Sequence, residues 1–184
     1  ADYARRRRDA QAAVAEAQAR LAKELGLPLI VQLPPDDEAE RKMAELLVSV
    51  FGEGSTHRML LSAFRGRPRC AAAMLKLFPR LAVGFSGLLT HGKLKTTLGE
   101  VAFDTPLSRL VLESLGPRFP PAVAGVGDVR GSYSHPVHVE VVAEELARVK
   151  QLSKDEVLEA AWANAQELFA LVDPDVAESG AEQT

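Results

Sequence analysis

Few residues in this chain have the types and spacing that chemistry requires. A divalent ion that activates water needs three or more His, Asp or Glu ligands held in fixed geometry. The candidates are Glu113, in RLVLESLGPRFPP, and the histidines His57, His91, His135 and His138. One carboxylate does not hold a catalytic metal, and two residues beyond it stands Leu115, which has no donor atom. His57 opens an apolar run, while His135 and His138 straddle Pro136 ahead of a helical pattern, where capping or surface roles suit them. His91, in THGKLKT, is the one histidine placed after an apolar run, as function would require. Nucleophile signatures are missing: no G-x-S-x-G occurs, and Cys70 beside Ala71, Ala72 and Ala73 reads as a small buried residue. GVGDVRG imitates a dinucleotide loop, but it follows a loop and not a strand.

The remaining chemistry is electrostatic. Arg65, Arg67 and Arg69 follow one apolar run, and His91, Lys93 and Lys95 follow the next. If those runs are neighbouring strands, the six residues form a basic rim of possible phosphate contacts, with a solvated face as the competing reading. A net charge of −3 gives no global attraction to nucleic acid, so binding would have to come from such a local cluster. The run Arg5 to Arg8 opposes the dipole at the start of a helix, which points either to a partner there or to a fringe of exposed charge.

These side chains are carried by alternating helices and strands. With 184 residues, 47% hydrophobic and 26% charged, the chain fits one medium globular domain with a real core. Asp9 to Leu25 is an amphipathic helix with Val14, Leu21 and Leu25 at helical spacing, stopped by Gly26. LPLIVQL (27–33) is a strand, and the next helix is capped by Asp36 or Asp37 and carries Met43, Leu46, Leu47 and Val50 on one stripe. Strands follow at 57–64, 81–87 and 109–114, with helices at 67–78 and 93–102 between them. Past a Pro/Gly/Val loop, two helices finish the fold, the last opening with a Ser153 to Glu156 capping box. The predicted domain is 1–172, with a disordered acidic tail at 173–184.

Near-continuous apolar strands alternating with helices mean an α/β fold of parallel strands covered by helices. The pattern fits part of a (β/α)8 barrel or a small doubly wound sheet, and in both the ligand end is the carboxyl end of the strands. Those ends carry Gln32, Ser62 to Arg65, Ser86 to His91, and Glu113 to Pro117. The single cysteine excludes an internal disulfide and suits an intracellular setting. No apolar run is long enough to span a membrane as a helix, and the opening ADYARRRRDAQ has neither a methionine nor the apolar core of a secretory signal.

The stretch AAAMLKLFPRLAVGFSGLLTHGKLKTTLGEVAFDTPLSRLVLESLGPRFPP, with YSHPVHVEVVAEELARVK and WANAQELF, resembles the C-terminal half of the TatD-related deoxyribonucleases. In that family an FSG strand is followed by RLLLETDAPYL and later by an N...LF helix. Upstream, DY, Gln11, Gln18, LAKELGLPLIVQ and FRG resemble the family's GLDY, its Q-rich helix leading into a strand, and its HCFSG. The resemblance runs from Asp2 to about Leu171. It implies a TIM-barrel-like fold of which this chain holds the last four strands and the C-terminal helices, and an activity that depends on a divalent metal.

The resemblance also implies where the ligands should stand. The family's histidine after its fifth strand falls on Gln32, the histidine of HCFSG on Ser62, and the aspartate of ETD on Leu115, while Glu113 and Pro117 keep the turn. Its first-strand H.H pair and fourth-strand glutamate have no counterpart here. No catalytic residue, metal ligand or cofactor is therefore expected, and the chain reads as a catalytically inactive structural or interaction subunit of a larger assembly. A metal-dependent deoxyribonuclease or phosphodiesterase is one alternative, and a non-cleaving nucleic-acid binder using the basic rim is another. Half a barrel leaves two open strand edges, so a protein partner, a second copy or a preceding segment is expected to cover them.

Overall fold

The computed structural model describes residues 2–122 and 133–171. GVGDVRG and the acidic tail lie outside the described residues, as do the side chains of Arg5 to Arg8 and of Lys93. The order is α1 (Asp2–Leu25), β1 (Leu29–Val31), α2 (Asp37–Phe51), β2 (Met59–Leu61), α3 (Pro68–Leu77), β3 (Leu81–Phe85), α4 (Gly92–Asp104), β4 (Leu110–Leu112), α5 (Val139–Lys150) and α6 (Lys154–Phe169). Short 3-10 turns precede α4, β4 and α5.

Local chemistry sets the boundaries. Gly26 takes φ +65 and ends α1. The Asp36 carboxylate accepts from Ala39 N at 2.9 Å, which makes Asp36 the N-cap of α2. Ser153 and Glu156 form the reciprocal capping box of α6. The strands are shorter than the apolar runs predict, three to five residues each, because the runs continue into turns once ladder pairing stops.

All four strands are parallel, in the order β1-β2-β3-β4. Sequential order without reversal is that of a barrel wall; a doubly wound sheet would turn back on itself at a switch point. One face, with Met59, Leu61, Leu81, Val83, Phe85 and Leu110, packs against Leu47, Met74, Leu98 and Leu146 of the helices as the main core. The other face carries Leu60, Ala82 and Val111, covered at one end by Leu168 of α6. Asn164 holds α6 there by donating to the carbonyls of Leu107 and Leu110, each at 2.8 Å.

The expected stripe on α1 is reversed. Val14, Leu21 and Leu25 share one face, but that face points outward and each is more than half exposed. The inward side is built from Ala15, Ala19 and Ala22 against α2, with Ala19 fully buried. Periodicity finds an apolar face without saying what covers it.

Arg109 locks the strand starts. Its guanidinium donates to Leu81 O at 2.7 Å, Leu75 O at 2.8 Å and Phe78 O, joining the end of α3 and the start of β3 to β4. Truncation leaves three acceptors without that donor, so Arg109→Ala is expected to cost about 2–4 kcal/mol. Arg109→Lys should recover only part of it, because an ammonium cannot reproduce the planar fork. Urea unfolding of the three proteins checks this.

Candidate functional site at the strand ends

Two-residue alternation places Gln32, Ser62, Gly84 and Glu113 on the face that also carries Ile30, Leu60, Ala82 and Val111. Ser62 and Gly84 stand level with Val111, and Glu113 stands one step beyond, toward the strand carboxyl ends. The row is joined by hydrogen bonds. Gln32 Nε2 donates to Ser62 Oγ at 3.3 Å, and Ser62 Oγ donates to Glu113 Oε1 at 2.6 Å. Glu113 Oε2 accepts from Ala63 N at 2.6 Å. Glu113 follows β4 and its partners Ser62 and Ala63 follow β2, so its side chain crosses β3 to reach them.

It crosses at Gly84. A Cβ built there would stand 2.0 Å from Glu113 Oε2 and 2.6 Å from its carboxyl carbon, so only glycine leaves room. The sequence reading passed over this residue, although a lone glycine inside LAVGF was the available sign of a close approach.

Burial raises the Glu113 carboxyl above the ordinary range, and the hydrogen bonds from Ser62 and Ala63 pull it back down. No ion pair to it occurs among the described residues. Both of its oxygens are engaged by neutral donors, which leaves it poorly disposed to bind a cation.

The other expected residues are dispersed. Leu115 does not follow the alternation that would set it beside Glu113. The strand ends at Leu112, Leu115 takes φ +49, and its side chain packs against the main core. Pro117 keeps the turn, with Ser134 N donating to Pro117 O at 3.0 Å and Ser134 Oγ to Ser114 O at 2.6 Å.

The strands beneath the basic rim are neighbours, as the rim required. Among its described residues, three cations are engaged by carboxylates. Arg67 and Arg69 share Asp37 at 2.8 and 2.5 Å, and Lys95 pairs with Glu145 at 3.1 Å. His91 Nε2 lies 2.7 Å from Pro120 O, tying the start of α4 to the loop after β4, and Arg65 is half-buried. Asp37, about thirty residues upstream, is a neutralising partner that linear spacing does not reveal.

Cys70 is buried and its thiol is pushed up to about 12, by burial first and then by Glu40, so it is not a nucleophile at neutral pH. His57 packs on Phe51 with its Nε2 buried and unpaired, and burial lowers its pKa. His135 and His138 make a capping box before α5. Among the described residues no group of three His, Cys, Asp or Glu is placed to hold a metal ion. Gln32, Ser62 and Leu115 offer an amide, a hydroxyl and no donor atom, a set that does not fit a catalytic divalent ion.

The chain was compared with known proteins. The family model described as TatD related DNase matches residues 1–170. The uncharacterized metal-dependent hydrolase YabD of Bacillus subtilis is 27% identical over 166 residues, covering 89% of this chain and 59% of that protein. The human 3'-5' RNA nuclease TATDN2 is 30% identical over 159 residues, 86% of this chain and 20% of that one. Among solved structures, the TatD homolog YJJV of Escherichia coli K12 aligns with TM-score 0.65 at 22% identity, covering 84% of this chain and 54% of its own. A TatD family hydrolase of Entamoeba histolytica aligns with TM-score 0.61 at 16% identity, covering 82% and 54%. The chain thus spans little more than half the length of these structures.

The geometry at Gly84 makes two predictions. Gly84→Ala should destabilise by about 1–3 kcal/mol through overpacking, and much less in a Glu113→Ala background, giving a non-additive double-mutant cycle. Because the folded carboxyl is raised, its contribution is complete below about pH 4.5 and is lost as pH rises through the folded value. The stability of Glu113→Gln relative to the parent should therefore improve across that interval. Chemical denaturation at stepped pH reads it, and a flat difference would contradict the raised carboxyl.

Proposed function

Because this chain belongs to the TatD-related DNase family, we propose that it is a member whose strand-end site has given up metal-assisted hydrolysis and that it serves as a structural or interaction unit of a larger assembly. The observation that carries the reading is the Gln32–Ser62–Glu113 chain, which turns the row into a self-satisfied network of neutral donors around one carboxylate. Metal-assisted hydrolysis requires an ion with an open position and a group that orients water. Leu115 supplies neither, and Glu113 is already committed.

A hydrolytic reading is favoured by the relatives alone. A human relative is named a 3'-5' RNA nuclease and a mouse relative a putative deoxyribonuclease. Such activity in this chain would need its ligands from outside the strand-end row. A non-cleaving nucleic-acid binder would use the basic rim, but Asp37 and Glu145 compensate three of its cations.

The test is metal and turnover together. Purified protein titrated with Zn²⁺, Mn²⁺ and Mg²⁺ is expected to bind none stoichiometrically. It should hydrolyse bis-p-nitrophenyl phosphate and labelled DNA or RNA oligonucleotides no faster than metal-containing buffer does. About one tightly held equivalent, with chelator-sensitive turnover, would overturn the proposal.

A further inference from the structure

Away from the strand-end row, at the start of β2, a single imidazole joins several segments. The His57 ring lies on Phe51, the last residue of α2, with ring centroids 4.4 Å apart. It also hydrogen-bonds the backbone of Leu27, in the turn between α1 and β1. Arg58 continues the joint: its Nη2 donates to Gly26 O at 3.0 Å, and its carbonyl accepts from Leu29 N at 3.0 Å. Lys23 of α1 reaches the same place, its Nζ donating to Val50 O at 2.6 Å.

The joint fits one charge state of the ring. His57 Nε2 is buried and unpaired, so the bond to the Leu27 carbonyl falls to Nδ1. A neutral imidazole has one N–H to place, and Leu27 takes it. Protonation puts a second N–H on Nε2, inside the protein and with no acceptor to meet it. The surrounding charges oppose it as well. Lys23 from α1 and Arg58 beside β2 act on the ring, and both are cations. From α2 the ring meets Phe51, whose centre lies 6.0 Å from Lys23 Nζ. Glu24 of α1 and Glu53 in the turn after α2 are exposed to solvent.

We propose that His57 is a proton-operated latch: as the neutral ring it fastens the α1–β1 turn to the end of α2, and on protonation it lets that turn go. The bond to Leu27 and the contact with Phe51 belong to one ring, so a single proton acts on both. Burial and the two cations hold the folded ring below the ordinary histidine value of 6.5. The stability it contributes is therefore complete above that pH and is lost as pH falls through the folded value. This is the opposite sense to Glu113, whose contribution is lost as pH rises, so the two effects separate by sign. The latch is also independent of the chemistry of the strand-end row. Phosphodiester turnover would sink the functional proposal and leave the latch standing.

The test is local. Amide hydrogen exchange of the whole 184-residue chain, corrected for intrinsic rates, is followed while the His57 ring is titrated by NMR. From about pH 7.5 to about pH 5, the opening constant at the Leu27 and Leu29 amides should rise about threefold or more. The amides of β3 should hold steady over the same interval. His57→Phe keeps an aromatic ring against Phe51 and cannot take a proton, so its Leu27 and Leu29 amides should lose the pH dependence. The parental ring should titrate below 6.5, a reading that does not require the variant to fold. A ring that titrates at 6.5 or above, opening that does not change with pH, or an equal change in His57→Phe would overturn the latch.

Discussion

The structure turns on one side chain crossing one glycine. Glu113 leaves β4, passes over Gly84 of β3 and reaches the end of β2, where Ser62 Oγ and Ala63 N receive its carboxylate. That crossing fixes the ends of three strands relative to one another, and with them the row that any ligand at the carboxyl ends would meet. Ser62 is buried there with its hydroxyl spent on Glu113. An ionised carboxylate placed there without a cation carries a desolvation cost, offset by two short hydrogen bonds.

The wall of parallel strands, the helices behind it, the Arg109 clamp and Asn164 on the strand starts preserve an architecture shared with TatD-type structures. At the opposite end an amide, a hydroxyl and a carboxylate are joined by hydrogen bonds. A scaffold can persist while the site grafted on it changes, so chemistry has to be argued from the site. In the rim, Arg67, Arg69 and Lys95 are paired with carboxylates of the same chain.

Much of this was legible in the sequence where the determinants are local. The order of elements, the Asp36 cap, the Ser153 box and the stop at Gly26 each depend on a few adjacent residues. The placing of Gln32, Ser62 and Glu113 at strand ends followed from the apolar runs that precede them. What was illegible depends on contacts between distant segments. The use of Gly84 requires knowing that β4 sends a side chain across β3, and the neutralising of Arg67 and Arg69 requires knowing that Asp37 sits beside them. The outward turn of Val14, Leu21 and Leu25 has the same origin, because a helix records an apolar face and not its cover.

The most direct test of the central claim is a crystal soaked in Mn²⁺ and measured for anomalous scattering at the strand ends. The account predicts no anomalous peak beside Gln32, Ser62 and Leu115, with Glu113 Oε1 still about 2.6 Å from Ser62 Oγ across Gly84. A peak in that row, with Glu113 swung away from Ser62 to ligate it, would contradict the account.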